Sequence, residues 1–271
     1  WVIYLLNQFC KKQLNFIKLM SNLSILIVVH NEERQLKDCL ETISFADELI
    51  IILDKCTDNS EKIARKFSNK IFSGSWNIEG DRRNFGISKC KSNWIFEIDA
   101  DERVPKKLKS EILKIVKKSK SDWHMIGVNN YLGDKLIKFG WGAYIGKSAY
   151  AGLFRKKKKV WDRQRVHPKI KMLGNKGSRL KNKIDHYYCK SIFDLFNKLD
   201  SYSEARAKDL ESNKNKETLL INIRRIFSRF WKAYFLRKGY KEKKLGFIIA
   251  LVASLFPLIS YLKFKIQKKN D

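Results

Sequence analysis

The sequence predicts an α/β fold, an open and mainly parallel sheet with flanking helices, followed by a helical region that associates with membranes. Two observations predict the sheet. Residues 23–29 and 49–53 are short, almost wholly apolar runs rich in β-branched side chains, as in strands buried on both faces. Helical patterns, with apolar residues every three or four positions, separate such runs. This alternation is typical of parallel strands joined by right-handed crossovers.

The next elements follow the same alternation. Two further strands are expected at residues 70–73 and 94–98, with a helix between them at 80–89. Pro105 is expected to begin another helix, because proline is favoured at the first helical position. Asn31 is a plausible N-cap of the first helix, and Asp58 and Glu61 have the spacing of a capping box before the second.

The composition indicates a folded and strongly basic protein. Apolar residues make up 44% of the 271 residues, and 57 Lys and Arg against 28 Asp and Glu give a net charge of +29. Such a surface attracts nucleic acid, anionic lipid or phosphorylated substrates, although a lysine-rich genome produces the same bias. The five cysteines are scattered without paired spacing, which argues against a disulfide framework or a zinc site and favours a reducing compartment.

Acidic and amide side chains follow the predicted strands at the point where each strand ends. Asn31 follows the first strand, Asp54 the second, and Asp99 and Asp101 the strand at 94–98. The carboxyl ends of parallel strands meet at one edge of a sheet, where ligands bind. Two carboxylates there can hold a hard cation such as Mg²⁺ or Mn²⁺, which neutralises a diphosphate. An isolated D-x-D string is more often a solvated turn, so the position after a buried strand is what favours the metal site.

Asp54 and two residues of the predicted helix at 80–89 can contribute to ligand binding near this edge. Asp54 can accept hydrogen bonds from a base or a ribose, although a turn role is also open. Arg83 and Asn84 lie in the predicted helix at 80–89, where a guanidinium can meet a phosphate or a carboxylate. An exposed surface arginine is an equally simple interpretation.

Together these motifs resemble the inverting nucleotide-sugar glycosyltransferases with an A-type fold (glycosyltransferase family 2). Within that family they are most similar to the lipopolysaccharide-core branch. The resemblance covers residues 23–210 and is carried by HNEE at 30–33, Asp54 with Thr57-Asp58, RNFG at 83–86, IDADER at 98–103, RVH at 165–167 and HYY at 186–188.

The resemblance implies a role for each matching residue. The nucleotide pocket would be lined by His30, Asn31, Glu32 and Asp54. Arg83 and Asn84 would lie near the diphosphate and the sugar. Asp99 and Asp101 would bind the diphosphate through Mg²⁺ or Mn²⁺. The donor implied is a nucleotide-sugar, with UDP-glucose as the expected hexose donor, and the acceptor implied is a lipopolysaccharide-core or other envelope glycolipid.

The catalytic base is less clearly defined by the resemblance. An inverting transfer needs a base that takes the proton of the acceptor hydroxyl. Relatives usually have a glutamate directly after the histidine of the V-H motif, whereas this chain has Pro168. His167 is the leading substitute, Glu102 and Asp101 are weaker candidates, and a purely structural role for His167 remains open.

The resemblance also divides the chain into functional segments. Residues 21–125 are expected to form the nucleotide-sugar-binding half and 126–210 the acceptor-binding half, followed by a basic helical membrane-associating tail at 211–271. Residues 1–20 are expected to be an extra segment before a natural start at Met20, or a short amphipathic surface segment.

The tail predicts an association with the cytoplasmic face of the inner membrane. Residues 245–262 are almost wholly apolar, but eighteen residues are slightly fewer than the roughly 20 that span a bilayer. Pro257 and the flanking lysines favour a shallow or re-entrant helix pair. The basic, aromatic stretch 224–244 is expected to dock on anionic lipid. A buried core helix is the alternative for the apolar stretch.

Two other function classes compete with the transferase. A nucleic-acid-binding protein would explain the charge, but the sequence has no such signature, and its carboxylates cluster where a nucleic-acid groove needs cations. No nucleic-acid partner is therefore expected. A catalytically silent relative that scaffolds an envelope complex would explain Pro168.

Overall fold

A computed structural model describes residues 22–144, 147–163, 168–212 and 217–270. Its strands are β1 Leu23–Val29, β2 Glu48–Asp54, β3 Ile71–Gly74, β4 Trp94–Asp99, β5 Glu102–Arg103, β6 Trp123–Leu132, β7 Lys135–Ile137, β8 Ala149–Arg155, β9 Lys159–Trp161, β10 Ile170–Met172 and β11 Lys183–Cys189. Its α-helices are α1 Leu36–Thr42, α2 Ser60–Ala64, α3 Glu79–Lys89, α4 Lys106–Lys118, α5 Ile192–Ser212, α6 Leu219–Trp231 and α7 Lys243–Asn270. A π-helical turn, Lys232–Leu236, continues α6, and a 3₁₀ turn, Gly239–Glu242, precedes α7.

The chain forms two compact units, and each is discontinuous in sequence. The first contains the residues up to Gly127 and 149–184, and the second contains 128–148 and the residues from Asp185 onward. Residues 149–184 therefore belong to the first unit, although they fall within the segment 126–210 defined from the sequence. The functional roles assigned to the segments stay predictions.

The sheet of the first unit has the strand order β3-β2-β1-β4-β8-β6. The pairs β3–β2, β2–β1 and β1–β4 are parallel, whereas β8 is antiparallel to both β4 and β6. Since β1 and β2 are buried along nearly their whole length, the predicted α/β class and its buried parallel strands are confirmed. The sheet is parallel in its first four strands and mixed beyond them.

Helix α3 approaches this sheet closely because it has a glycine where it faces the strands. A Cβ atom added to Gly86 would lie 2.6 Å from the side chain of Leu26 and 3.0 Å from that of Ile52. Both side chains belong to a buried cluster with Ile95 and Phe154. The close packing fixes the helix that carries Arg83 and Asn84.

Both predicted helix caps are wrong. Helix α1 begins at Leu36, and Asn31 lies in the loop before it with a left-handed backbone, φ 54°. Helix α2 has Asn59 at its N-cap, and neither helix has a side-chain cap hydrogen bond. Asn31 instead bonds loop backbone more than twenty positions away, as described below. Asp58 accepts hydrogen bonds from Ser60 N, in the first residue of α2, at 3.0 Å and from Glu33 N at 2.9 Å, so it bonds the start of α2 from the position before the N-cap. Local spacing could not show the distant partners.

The second unit is built around helix α7, which packs against α5 and α6. Its core contains Leu132, Leu195, Ile249 and Val252. The expected re-entrant helix pair is wrong, because α7 is one continuous helix through Pro257. Among the residues that the structure describes, this is the one helix long and apolar enough to cross a membrane, and half of its apolar stretch is buried within the protein.

Glu242 joins the turn before α7 to the strand region of the second unit. Its Oε1 accepts hydrogen bonds from the backbone N–H groups of Lys138, at 2.8 Å, and Phe139, at 3.1 Å. Its Oε2 lies 3.2 Å from Lys135 Nζ, and the Glu242 side chain is buried. The carboxylate therefore satisfies backbone donors that would otherwise be removed from water.

We expect Glu242→Ala to lower the free energy of unfolding by about 3 kcal/mol, because it removes charge-assisted hydrogen bonds to backbone donors. Urea denaturation followed by far-ultraviolet circular dichroism measures the change. Glu41→Ala is the control: Glu41 forms an exposed ion pair with Lys37 at 3.8 Å, and its loss should cost less than about 0.5 kcal/mol. Equal effects of the two substitutions would contradict the assignment.

Candidate active site

The loops that follow β1 and β2 are bonded to each other at the carboxyl edge of the sheet. Asn31 Oδ1 accepts a hydrogen bond from Thr57 N at 2.8 Å. Glu33 N donates to Asp58 Oδ2 at 2.9 Å, and Glu33 Oε2 accepts from Asn59 N at 3.1 Å. These reciprocal bonds join the two loops into one ordered rim, which explains why Asn31 does not cap a helix.

His30 and Glu32 lie on the same rim. His30 Nδ1 is 2.6 Å from the carbonyl oxygen of Asp54, so this ring nitrogen carries the proton. Glu32 N donates to Ser60 Oγ at 2.9 Å. His30 and Asn31 are exposed and Glu32 is half-buried. The structure thus brings three of the predicted donor-binding residues to the edge where β1 and β2 end.

Asp54 ends β2 and is almost completely buried, with 4% of its surface exposed. Its Oδ1 accepts a hydrogen bond from Trp76 N at 3.0 Å, and its Oδ2 lies 2.7 Å from Arg82 Nη1. The carboxylate therefore orders the chain after β3 and pairs with an arginine of α3. Its expected contact with a nucleotide stays a prediction.

A buried ion cluster lies behind the D-x-D segment. Glu97, on β4, has Oε1 at 2.7 Å from Arg83 Nη1 and Oε2 at 2.6 Å from Lys159 Nζ. Glu97 and Lys159 are each only 2% exposed. Lys159 Nζ also donates to the carbonyl oxygen of Ala151 at 3.0 Å. The cluster connects α3, β4 and the strand pair that contains Lys159.

The surroundings of Glu97 and Arg83 favour the ionised forms of both side chains. Burial raises the pKa of the Glu97 carboxyl, but the charges and hydrogen bonds of Lys159 and Arg83 outweigh it and hold that pKa below its usual value. Burial lowers the pKa of Arg83, but Asp99, Glu97 and Glu79 raise it well above its usual value. Glu97 and Arg83 therefore form a buried pair of opposite charges behind the D-x-D segment.

Arg83 connects the ion cluster to the D-x-D segment. Its Nη2 lies 3.1 Å from Asp99 Oδ1, while its Nη1 bonds Glu97. The Asp99 side chain is 30% exposed, and Asp101, two residues later, is half-buried in the turn after β4. The interpretation of Arg83 as an exposed surface residue is wrong, because its side chain is 12% exposed and bonded to acidic groups.

The rest of the D-A-D-E-R motif holds the turn in place. Glu102 is completely buried, and its Oε2 accepts hydrogen bonds from Asp99 N at 2.9 Å and from Tyr150 Oη at 3.2 Å. Burial and the charges of Glu102, Asp99 and Glu97 raise the pKa of Tyr150 well above its usual value, so this hydroxyl remains a donor. Arg103 Nη1 donates to the carbonyl oxygen of Ala100 at 3.0 Å.

Asn84 pairs with the backbone of β9. Its Nδ2 donates to the carbonyl oxygen of Trp161 at 2.8 Å, and its Oδ1 accepts from Trp161 N at 3.0 Å. The guanidinium carbon of Arg83 lies 4.7 Å from the centre of the Trp161 ring. Asn84 thus fixes β9 against α3, and its expected position near the diphosphate stays a prediction.

The acidic pair offers part of a metal site. Within the ranges that the structure describes, no three His, Cys, Asp or Glu side chains converge so that they could hold a metal ion alone. Magnesium in nucleotide sites commonly uses one or two carboxylates and takes its other ligands from phosphate and water. The carboxylates of Asp99 and Asp101 are hard oxygen ligands of this kind, so the donor set fits a metal shared with a diphosphate.

Several residues of this site were not predicted from the sequence: Arg82, Glu97, Tyr150, Lys159 and Trp161. One signal was present for Glu97, because a charge inside the otherwise apolar strand WIFEID needs a buried partner. That partner, Lys159, stands in a run of four lysines that does not distinguish it. The proposed base, His167, lies outside the described residues.

The match to a known family covers this whole site. Residues 24–171, more than half of the chain, match the family described as glycosyl transferase family 2. The chain therefore belongs to that family, as the motif resemblance predicted. The match includes the two loops of the rim, the ion cluster and the D-x-D segment.

Similar proteins extend over nearly the whole chain. An uncharacterized glycosyltransferase of Rickettsia typhi, RT0209, is 25% identical over 86% of this chain and 83% of its own length. The lipopolysaccharide core biosynthesis glycosyltransferase LpsC of Rhizobium meliloti is 24% identical over 89% of this chain and 91% of its own length. One similar solved structure is the glucosyl-3-phosphoglycerate synthase of Mycobacterium tuberculosis in complex with Mn²⁺, UDP and phosphoglyceric acid. It is 17% identical in sequence, with a TM-score of 0.35, and the match covers 41% of this chain and 45% of the synthase chain.

We expect Glu97→Gln to lower the free energy of unfolding at neutral pH by about 3–5 kcal/mol, since it removes the carboxylate that pairs with the buried Lys159 and one of the three carboxylates that pair with Arg83. Because the folded-state pKa of Glu97 is lowered, its stabilisation is present above the unfolded-state pKa of about 4.3 and is lost as the pH falls through the folded-state value. The variant should therefore lose less stability on acidification than the wild type. Denaturant titrations across the acid range measure both effects.

Glu79→Gln is the matched control, because Glu79 contacts the same arginine at 2.8 Å with a side chain that is 35% exposed. Its cost should stay below about 1 kcal/mol. A Glu97 variant no less stable than this control would show that the buried cluster does not hold the site together.

Proposed function

We propose that this glycosyltransferase transfers a hexose from a nucleotide-sugar, UDP-glucose, with inversion, to a lipopolysaccharide-core or other envelope glycolipid at the cytoplasmic face of the inner membrane. The observation that carries the proposal is Asp99, held by Arg83 at the end of β4 with part of its carboxylate exposed, two residues before Asp101. Membership of glycosyl transferase family 2 supports the reaction class. The name of the relative LpsC supports the class of acceptor.

In the proposed reaction the acceptor hydroxyl oxygen attacks the anomeric carbon on the face opposite the diphosphate. The new glycosidic bond forms as the bond from that carbon to the diphosphate oxygen breaks, and the electron pair leaves with the nucleoside diphosphate. The proton of the hydroxyl passes to a base of the protein. The base and the leaving group therefore need to act on opposite faces of the sugar.

The residues of the rim are proposed to bind the nucleotide part of the donor. His30, Asn31 and Glu32 lie at the edge of the sheet, and Asp54, which is paired with Arg82, ends β2 beside them. Arg83 and Asn84 support the donor site by positioning Asp99 and β9. In this proposal the rim residues contact the donor, whereas Arg83 and Asn84 position other parts of the site.

Asp99 and Asp101 are proposed to hold Mg²⁺ or Mn²⁺ together with the diphosphate. When bound, such an ion neutralises the negative charge that accumulates on the leaving nucleoside diphosphate. The hydrogen bond from Asp99 N to Glu102 and the contact of Asp99 Oδ1 with Arg83 orient the first carboxylate before any ligand binds. Such preorganisation avoids rearrangement during the reaction.

His167 is the proposed base. An imidazole with an ordinary pKa is partly deprotonated near neutral pH and can accept the hydroxyl proton. The buried position of Glu102, whose carboxylate accepts hydrogen bonds from Asp99 N and Tyr150, makes it less suited to reach an acceptor. Asp101 is better used as a metal ligand.

We expect Asp101→Asn to lower the rate of Mn²⁺-dependent UDP-glucose hydrolysis by about a hundredfold, because an amide binds hard cations weakly. Calorimetric titration with UDP and Mn²⁺ should show the matching loss of metal-dependent affinity, independently of turnover. Asp134→Asn, an exposed turn residue of the second unit, is the control and should change neither quantity. Wild-type protein that binds UDP and Mn²⁺ but hydrolyses no donor from a panel of nucleotide-sugars would favour the silent scaffold.

We expect His167→Ala to abolish transfer while leaving the affinity for UDP and Mn²⁺ within about twofold of the wild type, because a base acts on the acceptor proton and not on donor binding. Hydrolysis or transfer of radiolabelled UDP-glucose gives the rate, and the same calorimetric titration gives the affinity. Retained turnover would remove His167 from the mechanism.

A further inference from the structure

Helix α6 has an apolar stripe on its solvent-facing side. Leu220, Ile223, Phe227 and Trp231 follow one another at spacings of three and four, so they share one face of the helix. Leu220 is 78% exposed, Phe227 72% and Trp231 57%. In the π-helical turn the stripe continues with Phe235 and Leu236, which are also exposed. Large aromatic side chains are rarely left in water along a whole helix face without a partner.

The opposite face of α6 packs inside the second unit, so the stripe is additional to the core. Asn222 is buried and bonds the carbonyl oxygen of Thr218 at 2.9 Å. The Phe230 ring meets Phe247 of α7 edge to face, with ring centres 5.6 Å apart. The stripe therefore lies outside the core of this unit, and a helix that is apolar on both sides is expected to bury its second side against another surface.

The apolar helix α7 is poorly placed to serve as a membrane span. It packs along α5, a helix with many charged residues: Asp194, Lys198, Asp200, Glu204, Arg206, Lys208 and Asp209. Lys263 of α7 lies 2.7 Å from Asp200 Oδ1, and Gln267 donates to Glu204 at 2.6 Å. A bilayer around α7 would also surround these charges, which is costly.

The charge around the stripe is strongly positive. Residues 217–244 contain nine Lys and Arg but two acidic residues, Glu217 and Glu242. Glu217 is bonded to Arg225 at 2.6 Å, and Glu242 is buried against Lys135. Arg224, Arg229 and Lys232, which lie beside the stripe, are exposed.

We propose that this outward face of α6, with the basic residues beside it, is the surface through which the protein docks on a bilayer that contains anionic lipid. Leu220, Phe227 and Trp231 enter the boundary between headgroups and acyl chains, and α6 lies parallel to the membrane plane. The flanking arginines and lysines contact the anionic headgroups. Helix α7 then supports α6 from within the protein and does not insert.

The positive charge of this face favours an anionic lipid surface, and not a second copy of the chain, as its binding partner. Two copies meeting through this same face would bring their arginines and lysines together, and such like-charge contacts are destabilising. An anionic lipid surface neutralises the charge and covers the apolar side chains at once. The surface deepens the proposed function, since a glycolipid acceptor lies in such a membrane.

The test is co-sedimentation of the full chain with phosphatidylcholine vesicles that contain or lack phosphatidylglycerol. The wild type should bind the anionic vesicles, and added salt should weaken that binding. The double variant Phe227→Ser, Trp231→Ser should lower the partition coefficient by at least about tenfold. The triple variant Arg224→Gln, Arg229→Gln, Lys232→Gln should lower it by about fivefold for each charge removed, on anionic vesicles alone.

Phe193→Ser is the matched control, because Phe193 is 79% exposed on α5. It should bind vesicles as the wild type does. Full binding by the Phe227, Trp231 double variant, or an equal loss in the Phe193 control, would overturn the assignment. So would a wild type that self-associates through these residues without binding vesicles, or that binds neutral and anionic vesicles equally.

Donor hydrolysis without vesicles, measured on the same preparations, tests the proposed transferase activity independently of membrane docking. It should be unchanged in all three variants, which lie outside the donor site. Vesicle binding that follows the expected pattern while the wild type hydrolyses no donor would refute the transferase and leave the docking surface supported.

Discussion

The buried contact of Glu97 with Arg83 and Lys159 is the constraint on which the site depends. A carboxylate removed from water is stable only with cationic partners at hydrogen-bond distance, and here the two cations come from distant parts of the chain. Arg83 extends this charge pattern to Asp99. The D-x-D turn is therefore oriented by α3 and by the region around β9, not by its own local sequence alone.

Polar contacts between residues distant in sequence also hold the rim formed by the loops after β1 and β2. The loops after β1 and β2 have few apolar anchors, and their order comes from bonds between Asn31 and Thr57 and between Glu33 and Asp58. The left-handed backbone at Asn31 suits a residue whose short amide can bond nearby backbone. Asparagine is also favoured at helix N-caps, so the residue type did not distinguish the two roles. The bonds of Asn31 and Glu33 to the loop after β2 show that the HNEE motif joins two loops.

The sequence was most informative where apolar patterning decides the structure. Strands β1, β2 and β4 are buried on both faces, so their composition identifies them, and the resemblance of the following motifs identified the family. The partners of Asp54 and Glu97 could not be predicted, because Arg82 and Lys159 resemble the many other cations of a chain with 57 Lys and Arg. Which of many cations pairs with a given carboxylate depends on their distance in the folded protein, and the local sequence does not show that distance.

The apolar tail shows a different limit of the sequence. Hydropathy ranks residues 245–262 as the membrane element, yet the helix that contains them packs against charged α5 and is half buried in the protein. The more polar helix α6 has the larger exposed aromatic side chains. Apolar content alone does not distinguish a helix that supports a unit from one that contacts lipid, because both need apolar surface. What separates them is which face other helices leave uncovered, and in the second unit the uncovered face of α6 is the one turned away from α7.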